Sequence, residues 1–399
     1  MQPALVVIAA GVCAALHVGK LAPAINTLQQ ALGMSLVEAG FLLSLVQVAG
    51  MSLGLAFGAW ADTLGARRSV IGGLVALGLA SVAGGLSPGV PALMALRVLE
   101  GFGFLLVVLP APGLLRSLVP PQRLSALLGL WGSYMPTATA LALLCGPLFM
   151  DALGWRAWWW LLGALSLAMA AVVARTVAPK DAPAAAPDKQ RSTGAWFGTL
   201  RQTLSASGPW LVALLFAVYS SQWLAVIGFL PTIYLQAGVA SAATGVLTAL
   251  AAAANIVGNV ASGRLLQRGV PVQRLLVIGF VTMALAAVLA FATTAAPPAL
   301  RYAAVLLFSG VGGLIPGTLF SLVLRVAPHE RCVAATVGWM QQWSSAGQFV
   351  GPPVVAALAS QLGGWQWTWV ATGACSAAGV ALTLLLTRRL RFAQAGGSP

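Results

Sequence analysis

Apolar runs close to the length of a membrane-crossing helix follow one another along the whole chain of 399 residues. A helix needs roughly 20 mainly apolar residues to cross a bilayer. Charged residues make up 7% of the chain, against about 25% in soluble domains, so lipid must be its solvent. The sequence predicts an all-α membrane protein with 12 transmembrane helices. The predicted spans are residues 4–26, 38–61, 67–86, 91–115, 124–149, 156–178, 209–235, 242–263, 272–294, 300–325, 332–359 and 366–387.

The basic residues fix the predicted orientation. All but four of the 21 Lys and Arg residues fall on the side that also holds both termini; the exceptions are Lys20, Arg97, Arg156 and Arg301. Because positive charge gathers in cytoplasmic loops, we expect both termini in the cytoplasm and the chain in the cell's inner membrane. The net charge of +14 is spread over short loops, which argues against a nucleic-acid partner.

A polar stretch rich in Pro and Ala divides the chain into two halves of equal length. Motifs of the first half recur in the second: GPLFMDALGW from Gly146 resembles GPPVVAALASQLGGW from Gly351, and PPQR resembles PHER. Matching motifs in matching loops indicate duplication. We therefore expect two pseudo-symmetric six-helix bundles, residues 1–178 and 209–390, with a cytoplasmic linker at 179–208 and a cytoplasmic tail at 391–399. Within the linker, AWFGTLRQTL suits either a short interfacial helix or disorder.

One loop concentrates charge in a chain that otherwise avoids it. GAWADTLGARR, between the second and third spans, resembles the G-x-x-x-D-x-x-G-x-R-R signature of the major facilitator superfamily. The matching residues are Gly58, Asp62, Gly65, Arg67 and Arg68. The resemblance implies that this loop forms a conformational gate. In the second half the counterpart is GRLLQRG, with Gly263, Arg264 and Arg268.

A second resemblance lies in the fourth span, where LRVLEGFGF matches the R-x-x-x-G element of the same superfamily through Arg97 and Gly101. The first, second and seventh spans resemble cyanate-permease-like members. The fifth span keeps Gly146 and Pro147 of the antiporter element but lacks its other glycines. The superfamily implies two bundles that rock about a central cavity lined by helices one, four, seven and ten.

Four ionisable side chains lie well inside predicted spans, away from the span ends: His17, Lys20, Arg97 and Glu100. Placing such a group in the middle of a transmembrane helix costs about 2.5–3.5 kcal/mol of free energy, so we expect each of them to have a function. Lys20 and Arg97 lie at similar depth, which predicts that they and His17 bind a small anion, with Glu100 as the coupling group. Structural alternatives stay open: Lys20 extending to the surface, an Arg97–Glu100 clamp, and His17 as a hydrogen-bonded helix residue.

Polar and aromatic residues on other spans complete the predicted substrate site, because amides and indoles are too polar to face lipid. The candidates are Trp131, Tyr134, Tyr219, Gln222, Trp339, Gln342 and Trp343. Packing between helices is the structural alternative for each of them.

The motif content favours transport over catalysis. The chain lacks the H-E-x-x-H, G-x-S-x-G and P-loop sequences, so neither an enzyme nor an ATP-driven pump is expected. Its four cysteines have no metal-ligand spacing, and no metal or cofactor is expected. The leading interpretation is a monomeric secondary transporter that moves a small, anionic solute with protons. The alternative is proton-driven efflux of amphiphilic drug-like or metabolite compounds.

Overall fold

The computed structural model describes residues 3–55, 65–120, 127, 130–178, 193–293, 295–329 and 332–395. Every regular element in this part of the chain is helical. The helices of the first half are α1 Pro3–Gly19, α2 Ile25–Leu32, α3 Leu36–Ser44, α4 Ala66–Gly85, α5 Val90–Val108, α6 Ala111–Leu118 and α7 Tyr134–Thr176. The later helices are α8 Thr193–Ser205, α9 Ser207–Gln236, α10 Ser241–Gln267, α11 Val272–Ala287, α12 Pro298–Gly312, α13 Leu314–Val326, α14 Val333–Gln361 and α15 Thr368–Ala395.

Ten helical segments of the described chain are long and apolar enough to cross a membrane. The prediction was twelve, and two features account for the difference. Helix α7 joins the fifth and sixth predicted spans in 43 residues, interrupted at Gly154, where φ is 79°. Helix α14 matches the eleventh span but is not among the ten, since its amides and serines lower its hydropathy. The all-α membrane fold is confirmed.

Several helices break inside the predicted spans. The first span bends after Gly19, where a short 3₁₀ turn, Ala22–Ala24, separates α1 from α2. Pro23 in this turn has no amide hydrogen, so the helical ladder cannot continue through it. The second span has a similar 3₁₀ turn, Leu45–Gln47, and continues to Leu55.

Buried apolar side chains form two large clusters. One is drawn mainly from residues 4–177 and the other mainly from residues 211–386. Each half therefore has its own apolar core, as two bundles would require. The described end of the predicted linker forms α8, which runs up to the start of the second half.

The halves meet along two seams. Helix α3 and its continuation pack on α14, where Gln47 Nε2 donates to Gln348 Oε1 at 2.9 Å. Helix α7 packs on α10, where an added Cβ at Gly245 would be 3.0 Å from the carbonyl oxygen of Leu143. Small residues let the helices of opposite halves approach closely.

Candidate functional site

The four ionisable residues of the predicted spans come together in the first half of the molecule. His17, Lys20 and Arg97 are 0% exposed, and Glu100 is 1% exposed. Lys20 lies just past the end of α1, while Arg97 and Glu100 are three residues apart on α5. We call these four residues the Glu100 cluster.

Both carboxylate oxygens of Glu100 are engaged by cations. Lys20 Nζ donates to Oε1, and Arg97 Nη1 donates to Oε2. His17 Nδ1 lies 3.6 Å from Oε1 and 3.4 Å from Lys20 Nζ. The predicted meeting of Lys20 and Arg97 therefore takes place at a carboxylate of the protein itself.

The two cations also bind groups on neighbouring helices. Arg97 Nη1 donates to the backbone oxygen of His17 at 2.6 Å, and Nε donates to that of Leu42 at 3.3 Å. Carbonyls in the last turn of a helix lack helical partners, and His17 lies in the last turn of α1. Lys20 Nζ donates to Ser81 Oγ at 3.0 Å. The Glu100 cluster thus connects α1, α3, α4 and α5.

Aromatic and hydroxyl groups enclose the Glu100 cluster. Lys20 Nζ lies 4.7 Å from the ring centroid of Trp159, a cation–π contact. His17 Nε2 lies 2.7 Å from Ser166 Oγ on α7. Trp159, Ser166 and Ser81 were not predicted as site residues, because isolated Ser and Trp residues in apolar helices carry no recognisable signal.

This geometry tests two structural alternatives, namely Lys20 extending to the surface and an Arg97–Glu100 clamp. Lys20 lies inside the bundle and not at a surface, and the Arg97–Glu100 contact is present with Lys20 as a third member. Burying charge is costly unless the ions are paired and hydrogen-bonded, which explains why each cation contacts the carboxylate. Two cations still face one anion, and Arg97 Nη2 has no hydrogen-bond partner among the described residues.

The remaining candidate residues do not converge on the Glu100 cluster. Tyr219 OH accepts from Asn255 at 2.9 Å, and Gln222 Oε1 accepts from Ser376 at 3.0 Å. Both residues therefore bind partners within the second half. Gln342 Oε1 accepts from the amide of Leu55 at 3.0 Å, at the seam between the halves.

The aromatic candidates form two separate groups. Trp131 stacks on Tyr134 with ring centroids 4.6 Å apart, and its ring occupies space that a side chain at Gly11 would fill. Trp339 and Trp343 pack edge-on at 5.9 Å. Trp210, which was not among the candidates, contacts both of them at 4.8 and 5.6 Å. These three indoles are partly exposed and form what we call the indole group.

Part of the predicted gate loop can be described. Gly58 and Asp62 lie outside the described residues. Gly65 has φ of 79° and precedes α4, as expected for a glycine at a tight turn. Arg67 donates to the backbone oxygens of Val177 and Ala174, each at 2.6 Å, which satisfies carbonyls at the end of α7.

The rest of the gate motif lies at the surface. Arg68 is exposed. In the second half, Gly263 and Arg264 lie in the last turns of α10, and Arg268 follows its last residue. The tight turn there falls at Gly269, with φ of 81°.

Comparison with known proteins identifies relatives whose names refer to resistance and, in one case, to export. Three curated relatives from Streptomyces are similar over part of their sequences. A tetracenomycin C resistance and export protein of S. glaucescens is 33% identical over 46% of this chain and 34% of its own length. A methylenomycin A resistance protein of S. coelicolor is 29% identical over 36% of this chain and 31% of its own length. A puromycin resistance protein of S. alboniger is 30% identical over 40% of this chain and 31% of its own length. This chain thus spans about a third of the length of these relatives.

Solved structures share the fold. A bacterial homologue of the human lysosomal transporter Spinster, inward-facing and unoccupied, superposes with a TM-score of 0.78 over 97% of this chain and 96% of its own, at 16% identity. A D-xylose–proton symporter gives 0.74 over 96% of each chain, also at 16% identity. The resemblance to cyanate-permease-like members stays a prediction. The family profile of the Major Facilitator Superfamily matches residues 7–343, and the chain therefore belongs to this superfamily of multi-pass membrane transporters.

Proposed function

We propose that the chain exports amphiphilic organic compounds in exchange for protons, as a monomer in the inner membrane. The observation that carries this proposal is the state of Glu100, whose two oxygens are engaged by Lys20 and Arg97. An incoming anion would have to displace a buried carboxylate from both cations. The two cations are therefore already occupied by the protein's own anion, and because both favour the ionised carboxylate, Glu100 takes up a proton only as the cations move away from it.

The indole group supports an amphiphilic substrate. Trp210, Trp339 and Trp343 lie near the predicted cytoplasmic ends of α9 and α14, and all three are partly exposed. Indole rings offer large apolar faces that also attract cations. The names of the three Streptomyces relatives refer to resistance, and one also refers to export, which agrees with this direction of transport.

The Glu100 cluster supplies a means of coupling. When a proton binds one oxygen of Glu100, the carboxylate loses its charge and the two cations repel each other without compensation. Helix α1 carries Lys20 and α5 carries Arg97, so this repulsion favours their separation. His17, 3.6 Å from Oε1, is placed to pass the proton. The proposed cycle thus links proton binding at Glu100 to movement of α1 against α5.

Transport in proteoliposomes tests this function. The purified chain is reconstituted, a pH gradient is imposed, and the accumulation of ethidium, a planar amphiphilic cation, is followed by fluorescence. We expect accumulation that collapses when the gradient is dissipated. Glu100→Asp, which keeps the charge, should retain gradient-driven transport, whereas Glu100→Gln should retain only downhill exchange. Glu38→Gln, an exposed acid in a helix cap, is the control. Full gradient-driven transport by Glu100→Gln would contradict the coupling role.

A small anion remains a second candidate substrate, because two cations face one carboxylate and Arg97 Nη2 has no partner among the described residues. The same proteoliposomes, loaded with radiolabelled benzoate or nitrate, distinguish the two functions. Gradient-driven anion movement without ethidium transport, lost in Lys20→Met, would favour this second function over export.

A further inference from the structure

A cavity of about 520 Å³ lies between the halves at the predicted outer side and shares no lining residue with the Glu100 cluster. It is lined from the first half by Pro23, by α2 and by residues 143–151 of α7, and from the second half by the end of α9 and the start of α10. Its volume falls within the range of about 300–1,000 Å³ typical of small-molecule sites. Gln30, Asp151 and Gln236 at its rim are exposed, whereas Leu143, Pro147 and Thr248 are buried. The cavity is therefore open to one side and has a closed floor.

The lining carries negative but no positive charge. Among the described residues that form it, Asp151 is the one ionisable side chain. Ser241 Oγ donates to Asp151 Oδ2 at 3.1 Å, across the seam between α7 and α10. Side-chain amides from both halves line the same cavity, namely those of Asn26, Gln29, Gln30 and Gln236. The chain as a whole has a net charge of +14, whereas the formal charge of this lining is −1. The cavity therefore favours a cation over an anion.

Prolines add apolar surface to the same walls. Pro147 and Pro231 lie inside α7 and α9, and both line the cavity. A proline within a helix leaves the carbonyl four residues earlier without its helical amide. For Pro147 this carbonyl belongs to Leu143, which is 0% exposed and lies against Gly245 of α10, so it is not available to a guest. The walls thus offer carboxylate and amide groups together with apolar surface.

From this combination we propose that the outer cavity binds an organic ammonium compound, with its cationic nitrogen facing Asp151 and its apolar part against the proline-lined wall. Asp151 supplies a negative charge that favours a positive guest, and the volume admits more than a bare metal ion. Because residues from both halves form the cavity, binding there also bridges the two halves. This site is separate from the Glu100 cluster and does not depend on whether the chain is an exporter.

A matched pair of probes tests the proposal. Choline and 3,3-dimethylbutan-1-ol have nearly the same shape, but choline carries a positive charge. Isothermal titration of the purified full chain in detergent should give a dissociation constant for choline at least about tenfold lower than for the alcohol, because the carboxylate favours a cation in a partly enclosed site. Asp151→Asn should remove this difference, whereas Asp151→Glu should keep most of it.

Controls distinguish the loss of this site from the removal of any exposed acid and from loss of the fold. Asp151 is exposed, so its substitution should leave thermal unfolding unchanged. Glu38→Gln removes another exposed acid outside the cavity and should leave choline binding intact. Equal binding of choline and the alcohol by the unmodified chain, or undiminished choline binding by Asp151→Asn, would overturn the proposal. Choline binding without any ethidium transport would uphold this site while contradicting the proposed export.

Discussion

The two halves of the molecule have different polar groups at corresponding buried positions of α5 and α12. Glu100-Gly-Phe-Gly on α5 corresponds to Ser309-Gly-Val-Gly on α12, and both Glu100 and Ser309 are buried. In the first half, Lys20 donates to the Glu100 carboxylate. In the second half, Trp223 Nε1 donates to Ser309 Oγ at 3.1 Å, and Asn255 Nδ2 donates to the Ser309 backbone oxygen at 2.8 Å.

This difference separates a site that can change charge from one that cannot. A buried carboxylate held by two cations responds strongly to a single proton, because neutralising it leaves the cations uncompensated. A serine hydroxyl that accepts from an indole N–H stays neutral at every physiological pH. The proposed coupling centre thus lies in the first half, whereas the equivalent point of the second half carries no group that changes charge.

The largest effect is expected from removing the carboxylate charge. Glu100→Gln leaves Lys20 and Arg97 buried without a counter-ion, which should lower the free energy of unfolding by about 3–5 kcal/mol. Unfolding of the purified chain in mixed dodecyl sulfate micelles measures this loss. Glu38→Gln is the control, because Glu38 is exposed. Equal stability of the Glu100 variant and the unmodified chain would mean that the charges are not held as the structure places them.

The next largest effect on stability is expected at the glycines that follow Glu100 and Ser309. A Cβ at Gly101 would overlap the backbone carbonyl of Val46, whereas at Gly310 it would lie 3.5 Å from the nearest oxygen, that of Ala254. Gly101→Ala should therefore cost about 1–3 kcal/mol through overpacking, and Gly310→Ala should cost little. The same unfolding assay compares the pair. Similar costs at both positions would show that α5 packs no more tightly than α12.

Much of the fold could be predicted from the sequence because a bilayer imposes length and polarity on each helix. The spans and the Gly65 turn follow from local chemistry, whereas the break at Pro23 falls inside a span that was predicted to be continuous. The continuity of α7 past Gly154 could not be predicted, since a positive-φ glycine marks a loop and a kink equally well.

The site was partly predictable for the same physical reason. The spacing of Arg97 and Glu100 places them on one face of a helix, and their contact follows. The contact between Lys20 and Glu100 requires the packing of α1 on α5, which no local pattern gives. The orientation of Tyr219 and Gln222 into the second half was also beyond prediction, because α9 is apolar on all sides and one face cannot be told from another.

The smallest effect on stability is expected at Ser309, the neutral counterpart of Glu100 in the second half. Trp223→Phe keeps an aromatic ring but removes the indole N–H that binds Ser309 Oγ. Ser309 Oγ loses one donor and no charge is affected, so the loss should be close to the net value of one hydrogen bond, about 1 kcal/mol. Because no charge is exposed or left unpaired, this loss should not change between pH 5 and pH 8. Unfolding of Trp223→Phe at both pH values, beside Glu100→Gln, measures the size of the loss and its independence of pH. A Trp223→Phe variant as unstable as Glu100→Gln would show that the two halves are equally sensitive at their centres, and the assignment of the switch to the first half would lose its physical basis.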